Sequence, residues 1–230
     1  MKSRLEIKEH TPMQTTFLPL DKNIDWSRFN SSFIIEVERG DQIYTSTAVA
    51  IDRRILVTAA HCVDCAESVN LILGDDYKKP KAVQKVHQWR IHPGYNPSKS
   101  LYENDIAVIF LDQDLPDPTG IETVWGNLNL SEESLIERIG FGGRNNENIR
   151  TWTNPSFESV TFNRRNFILR DSSSVIGDSG GPVYTEDSGV LKLIGIHSTL
   201  EGSDKTYVVN IGQYENWISN QLAIKADYAM

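Results

Sequence analysis

The strongest constraint on the fold of this chain is a succession of short apolar segments, rich in Val, Ile and Phe, each closed off by Gly, Asn, Asp or Pro. FIIEVERG (33–40), SVNLILGD (68–75), DIAVIFLD (105–112), RIGFGG (138–143), SVTFN (159–163), NFILR (166–170), GPVYT (181–185), VLKLIGIHS (190–198) and KTYVVNIG (205–212) all read as strands. STAVAIDRRILVTAA (46–60) reads as two strands split by a turn at Asp52-Arg53-Arg54. Many short strands with turn signals between them predict an all-β barrel or sandwich. One helix is predicted over 213–223, where Tyr214, Trp217, Ile218 and Leu222 share a face. A further helical turn fits after His61. Residues 1–30 are polar and weakly patterned, which suits an N-terminal arm or a pro-segment.

Charge narrows the partners. Lys and Arg number 23 against 31 Asp and Glu, a formal net charge of −8. Neutralising phosphates needs the opposite sign, and no basic run stands out, so neither nucleic acid nor an anionic membrane is expected as a partner. No stretch approaches the ~18 apolar residues of a spanning helix. The opening MKSRLEIKEH shows no apolar leader. The chain is therefore expected to be cytoplasmic as written, or secreted or periplasmic if a leader has been trimmed. A hydrophobic fraction of 39% over 230 residues supplies a core without staples. Cys62 and Cys65, spaced C-x-x-C, are too few for a disulfide scaffold or a four-ligand zinc site. They read as two thiols or one local, easily reduced disulfide, and no metal or other cofactor is expected.

The residues that carry chemistry begin with Gly177-Asp178-Ser179-Gly180-Gly181-Pro182. A serine hydroxyl is a weak nucleophile until a base takes its proton. Flanking glycines let the backbone turn tightly and aim amides at one point, where they can hold an oxyanion. Such a serine calls for a histidine. Of His10, His61, His87, His92 and His197, His61 is the best placed, in Leu56-Val57-Thr58-Ala59-Ala60-His61-Cys62 at the end of an apolar run. The base needs an orienting carboxylate. Asp105 opens a buried-looking segment, where an acid is costly unless paired, and an imidazole N–H is a natural partner.

LVTAAHC, NDIAV and GDSGGP, in that order, resemble the trypsin/chymotrypsin-like serine proteases. Arg90-Ile91-His92-Pro93-Gly94-Tyr95-Asn96, Gly140-Phe141-Gly142 and Tyr214-Glu215-Asn216-Trp217-Ile218 extend the resemblance over about residues 31 to 223. It implies two antiparallel six-stranded β-barrels with a C-terminal α-helix, together one peptidase domain: a first lobe at 31–118 carrying His61 and Asp105, and a second at 119–230 carrying Ser179. It implies a serine endopeptidase acting on protein or peptide substrates as a monomer. Ser179 would attack the scissile carbonyl, with His61 as base and then acid and Asp105 fixing the imidazole. The N–H groups of Gly177 and Ser179 would form the oxyanion hole, and Ser198 falls where the family pairs its backbone with substrate.

The chain departs from the family pattern in informative places. The new N-terminus Ile-Val-Gly-Gly, whose ammonium pairs in the family with the Asp before the nucleophile, is absent. Asp178 then needs another cation, and Arg138 is the candidate, giving an activation pair that works without cleavage. Ser46 and Val175 stand where cysteines are common, so the usual disulfides are missing. Counting back from the nucleophile puts Ser173 at the pocket floor, which argues against Lys/Arg selection; a two-residue bulge would bring Asp171 there and restore it. His197, with Ser174 nearby, resembles the histidine that glutamate-specific members use to select acidic residues, while Leu200 and Thr206 would narrow the pocket in favour of small apolar side chains. Two rivals stand beside the endopeptidase. One is a protease-like binding module, a pseudo-protease or latent zymogen with an unformed substrate pocket; the other is an esterase-like hydrolase.

Overall fold

Runs of β-branched residues bounded by turns become strands because the pleat suits branched side chains and buries alternate positions. The computed structural model describes residues 17–19, 23–99, 103–123, 130–144 and 147–228. Residues 1–16 and 20–22 of the expected N-terminal arm lie outside the described residues. In chain order the strands are β1 (Phe17–Pro19), β2 (Ser32–Arg39), β3 (Gln42–Asp52), β4 (Ile55–Thr58), β5 (Ser68–Leu73), β6 (Ala82–Val86), β7 (Gln88–Ile91) and β8 (Ala107–Phe110). They continue with β9 (Ile136–Gly140), β10 (Gly143–Arg144), β11 (Glu147–Asn148), β12 (Thr151–Thr153), β13 (Ser156–Val160), β14 (Asn166–Arg170), β15 (Pro182–Asp187), β16 (Val190–Glu201) and β17 (Lys205–Asn210). A helical turn, α1 (Ala60–Val63), follows β4, and α2 (Glu215–Tyr228) ends the described chain.

Two antiparallel sheets result. The first runs β6-β5-β2-β3-β4-β8-β7. Its end strands are two halves of one segment bent at His87: β6 pairs with β5 and β7 with β8, so the row closes on itself. The second runs β1-β12-β9-β15-β16-β17-β14-β13. Here β12 and β13 are halves of a segment bent at Asn154-Pro155, and they pair with β9 and β14 to close the second barrel. Proline cannot donate to a ladder, which suits it to that corner. With each bent segment taken as one strand, each barrel has six, and β1 adds itself to the second through β12.

The first barrel is filled from the inward positions of its strands, among them Ile35, Val37, Val49, Val57, Val69, Leu71 and Val108, all fully buried. Each such side chain contributes roughly 1.5–3 kcal/mol. The second is filled by Ile136, Phe167, Leu169, Val183, Ile194 and Val208. Ile34 and Ile72 of the first barrel pack on Phe141, which follows β9. The C-terminal helix starts as a 3-10 turn over Ile211–Tyr214 and passes into α2, beyond the predicted 213–223. Its Tyr214 and Trp217 rings meet His92 edge-on at 5.2 and 5.1 Å, and Gln221 accepts a bond from Arg90. The last helix thus docks on the first barrel and ties the two halves of the chain together.

Candidate active site

His61, Asp105 and Ser179 each sit just outside a strand, where the chain can turn and its neighbours are rigid. His61 lies in α1, directly after β4. Small residues, Ala59 and Ala60, both fully buried, let that turn fold against the barrel end. The guanidinium of Arg39 closes the turn by donating to the carbonyls of His61 and Cys62 at 2.5 and 2.8 Å. Asp105 precedes β8 and is fully buried. It accepts twice from His61, from Nδ1 at Oδ2 (2.7 Å) and from the backbone N–H at Oδ1 (2.8 Å). The Ser198 hydroxyl, at the bulge of β16, donates to the same Oδ2 at 2.5 Å.

The serine turn lies between β14 and β15, gripped from both barrels. Thr47 of β3 donates its N–H to Ser179 O (2.8 Å) and its hydroxyl to Gly177 O (2.9 Å). From β16, His197 O accepts from Gly180 N and His197 N donates to Gly181 O, both at 2.8 Å. Gly177 has φ +99°, a left-handed conformation that side chains rarely adopt, and this coils the chain just before Ser179. The Ser179 hydroxyl donates to Ser198 O at 3.2 Å. His61, Asp105 and Ser179 are therefore linked through Ser198, which touches Asp105 by its hydroxyl and Ser179 by its carbonyl.

Burial disfavours a charged His61, but the Cys62 sulfur and the Asp105 carboxylate outweigh it and hold the imidazole pKa above its ordinary value. Cys62 Sγ lies 3.8 Å from Nε2. Both cysteines are free thiols, Cys62 buried and Cys65 exposed.

Behind the serine turn, Arg138 of β9 is fully buried with two carboxylates. Its Nη1 is 3.0 Å from Asp178 Oδ2 and its Nε 2.7 Å from Asp171 Oδ2. Asp178 also accepts from Gly142 N at 2.9 Å and Val175 N at 3.1 Å. This carboxylate is laid so closely on the Gly140-Phe141-Gly142 segment that a Cβ on Gly140 would stand 2.1 Å from Asp178 Oδ1. The other oxygen of Asp171 accepts from the Ser173 N–H and hydroxyl, at 3.0 and 2.5 Å. Burial alone would raise the Asp171 pKa, yet Arg138 and the Ser173 bonds bring it below the ordinary value. His197 Nε2 and the Ser174 hydroxyl are 2.5 Å apart. Burial, reinforced by the Arg138 charge, pushes the His197 pKa down to about 3, so this imidazole is neutral. Thr206 is fully buried opposite Leu200 in the β16–β17 ladder, and Leu200 is exposed.

Several partners escape sequence reasoning. Thr47, Arg39 and the bond from the Ser198 hydroxyl to Asp105 carry no local signal; each is fixed by which strands become neighbours. Among the described residues no cluster of His, Cys, Asp and Glu is arranged to hold a metal.

Over residues 26–218 the chain matches the family described as Trypsin. It is 25% identical over 211 residues to a chymotrypsin of Phaedon cochleariae, covering 78% of this chain and 72% of that one. It is 24% identical over 231 residues to trypsin eta of Drosophila melanogaster, covering 86% of each. Among solved structures, HL collagenase superposes with a TM-score of 0.71 at 23% identity, over 85% of this chain and 94% of that one. The scabies mite inactivated protease paralogue S-I1 superposes with a TM-score of 0.72 at 16% identity, over 87% and 97%. The fold of two antiparallel barrels and a C-terminal helix is the fold of these proteins.

Proposed function

Because the chain belongs to the trypsin family, whose proteases act on protein substrates, we propose that it is a serine endopeptidase that cuts peptide bonds through an acyl-enzyme on Ser179. One observation carries this reading: the Asp105 carboxylate, sealed from solvent, holds His61 Nδ1 at 2.7 Å and accepts the hydroxyl of Ser198, whose carbonyl accepts from the Ser179 hydroxyl. An ionised acid on Nδ1 keeps a proton there, so in the neutral ring Nε2 is the basic nitrogen.

In the reaction the Ser179 hydroxyl turns to His61 Nε2 and gives up its proton as Oγ bonds to the scissile carbonyl carbon. The oxyanion forms against the N–H groups of Gly177 and Ser179, each worth on the order of 2.7–4 kcal/mol in such a site. His61 then passes its proton to the leaving amine, and the same groups in reverse roles admit water to release the acyl product. Asp105 stabilises the imidazolium at each stage. Arg138 supplies from inside the fold the positive charge that Asp178 requires, which keeps the serine turn in working shape without a liberated chain end.

Ser173, Ser174, His197, Ser198, Leu200 and Thr206 form the pocket for the residue before the cut. The Asp171 charge is engaged by Arg138 and Ser173, so this carboxylate is not available to Lys or Arg. The Ser174 hydroxyl and the neutral His197 ring favour a side chain that accepts hydrogen bonds, an acidic one foremost. A fluorophosphonate probe tests the nucleophile: wild type should be labelled and Ser179→Ala should not. An unlabelled wild type would instead support the binding-module reading. Cleavage of a peptide library then separates an endopeptidase from an esterase-like hydrolase and reads out the preferred residue.

A further inference from the structure

The only two cysteines of the chain stand three positions apart at the turn that carries His61. Cys62, 3% exposed, has its sulfur 3.8 Å from His61 Nε2, the nitrogen that must receive the Ser179 proton. Cys65 is exposed, lies just beyond α1 with φ +54°, and points its thiol at Asp64 Oδ1, 3.7 Å away. The chain between them is tightly turned. Asp64 N bonds to Ala60 O (2.9 Å) and Ala66 N to Val63 O (3.3 Å). A disulfide needs the two Cβ atoms within about 3.5–4.5 Å of each other; with Asp64 extended between them and Cys65 outside α1, the pair closes only by reshaping this turn. Among the described residues no metal cluster and no disulfide uses these thiols, and the proposed peptidase reaction does not need them.

We propose that Cys62 and Cys65 are a redox-modification site that throttles the base: oxidation to an intramolecular disulfide draws the Cys62 sulfur off His61 and distorts the turn that aims its ring. The effect on hydrolysis rests on the peptidase reading above; the disulfide and its effect on the imidazole do not. The oxidant is a low-molecular-weight disulfide. The exposed Cys65 thiolate attacks one of its sulfurs, forming a mixed disulfide and expelling one thiolate. The Cys62 thiolate then attacks the Cys65 sulfur, forming the Cys62–Cys65 bond and expelling the second. The two protein thiols give up two protons and two electrons, and the added disulfide is reduced to two thiols.

The test takes the full chain through oxidised glutathione and then dithiothreitol, alongside Cys65→Ser, which lies outside the reaction site and should match reduced wild type. Intact mass should show wild type losing two hydrogens and the variant forming no internal bond. The fluorophosphonate labelling rate should drop at least tenfold in oxidised wild type, return on reduction, and be unaffected in the variant once glutathione is removed. Nitrogen-15 spectra of His61 should show its pKa move on oxidation. A protein that forms no internal disulfide overturns the proposal, as does one that forms it while labelling and the His61 titration stay unchanged. If reduced wild type is never labelled, the peptidase reading fails, and the His61 titration alone decides this proposal: a pKa moved by oxidation supports it and an unmoved one overturns it.

Discussion

Arg138 Nη1 sits 3.0 Å from Asp178 Oδ2 with both side chains fully buried, and the same guanidinium holds Asp171 through Nε at 2.7 Å. One cation thus serves two acids, one directly before Ser179 and the other bonded to Ser173. Arg138→Met would strand both carboxylates away from water. A loss of about 3–5 kcal/mol is expected, read as a lower urea midpoint, together with loss of fluorophosphonate labelling. Adding Asp171→Asn and Asp178→Asn should recover much of the stability, because removing a whole buried ion cluster is far milder than removing one member. An Arg138→Met protein as stable as wild type would mean that the pairing does not hold in solution.

Gly140 is needed for space. A methyl there would meet Asp178 Oδ1 at 2.1 Å, whereas one on Gly143 finds nothing nearer than 3.4 Å. Gly140→Ala should lower the melting temperature and suppress labelling, because Asp178 must leave the Arg138 and Gly142 bonds. Gly143→Ala should leave both near wild type. Equal tolerance at the two positions would contradict the packing described.

The pH dependence of hydrolysis follows from His61. Only the neutral ring accepts the Ser179 proton, so activity rises with pH as the ring deprotonates. Because its pKa is raised, the midpoint of that rise should lie above the ordinary imidazole value of 6.5. Cys62→Ala removes one of the groups that hold the proton and should move the midpoint down. Steady-state kcat/KM against pH reads this directly, and a rise complete below 6.5 would exclude it.

His197 sets an acid limit on stability. The folded ring has a pKa of about 3 against the ordinary 6.5, so the unfolded chain takes up its proton first. The contribution is complete above 6.5 and is lost progressively as pH falls toward 3, with a slope of at most about 1.4 kcal/mol per pH unit. Asp171 adds to the loss only below its ordinary value of 3.8, since its pKa is lowered. His197→Gln should flatten unfolding free energy against pH between 6 and 4. An unchanged slope would mean that another group is titrating.

The strands that fill the barrels were legible because β2, β4, β5, β14 and β17 alternate or concentrate branched residues between clear turn signals. β6 and β7 were not. AVQKV and QWRI are interrupted by Gln, Lys and Arg, which blurs any apolar alternation, and only pairing with β5 and β8 makes them strands. The contact of Arg138 with Asp178 could be anticipated from a missing ammonium and a buried acid in need of charge. The second partner, Asp171, could not, since nothing local shows that its carboxylate faces β9 rather than the pocket. The Ser198 hydroxyl on Asp105 was equally hidden, because a bulge in β16 turns that residue and a bulge depends on the partner strand.

Each cylinder is welded along its seam by a single uninterrupted stretch of backbone, bent at His87 in one and at Asn154-Pro155 in the other. Among the described strands no full-length member of either barrel is left as an edge: only the short segments β1, β6, β7 and β13 pair on one side alone, which keeps the rim onto which a neighbouring molecule could zip short. A single nick at either bend would release both halves at once and lengthen that rim into an adhesive one.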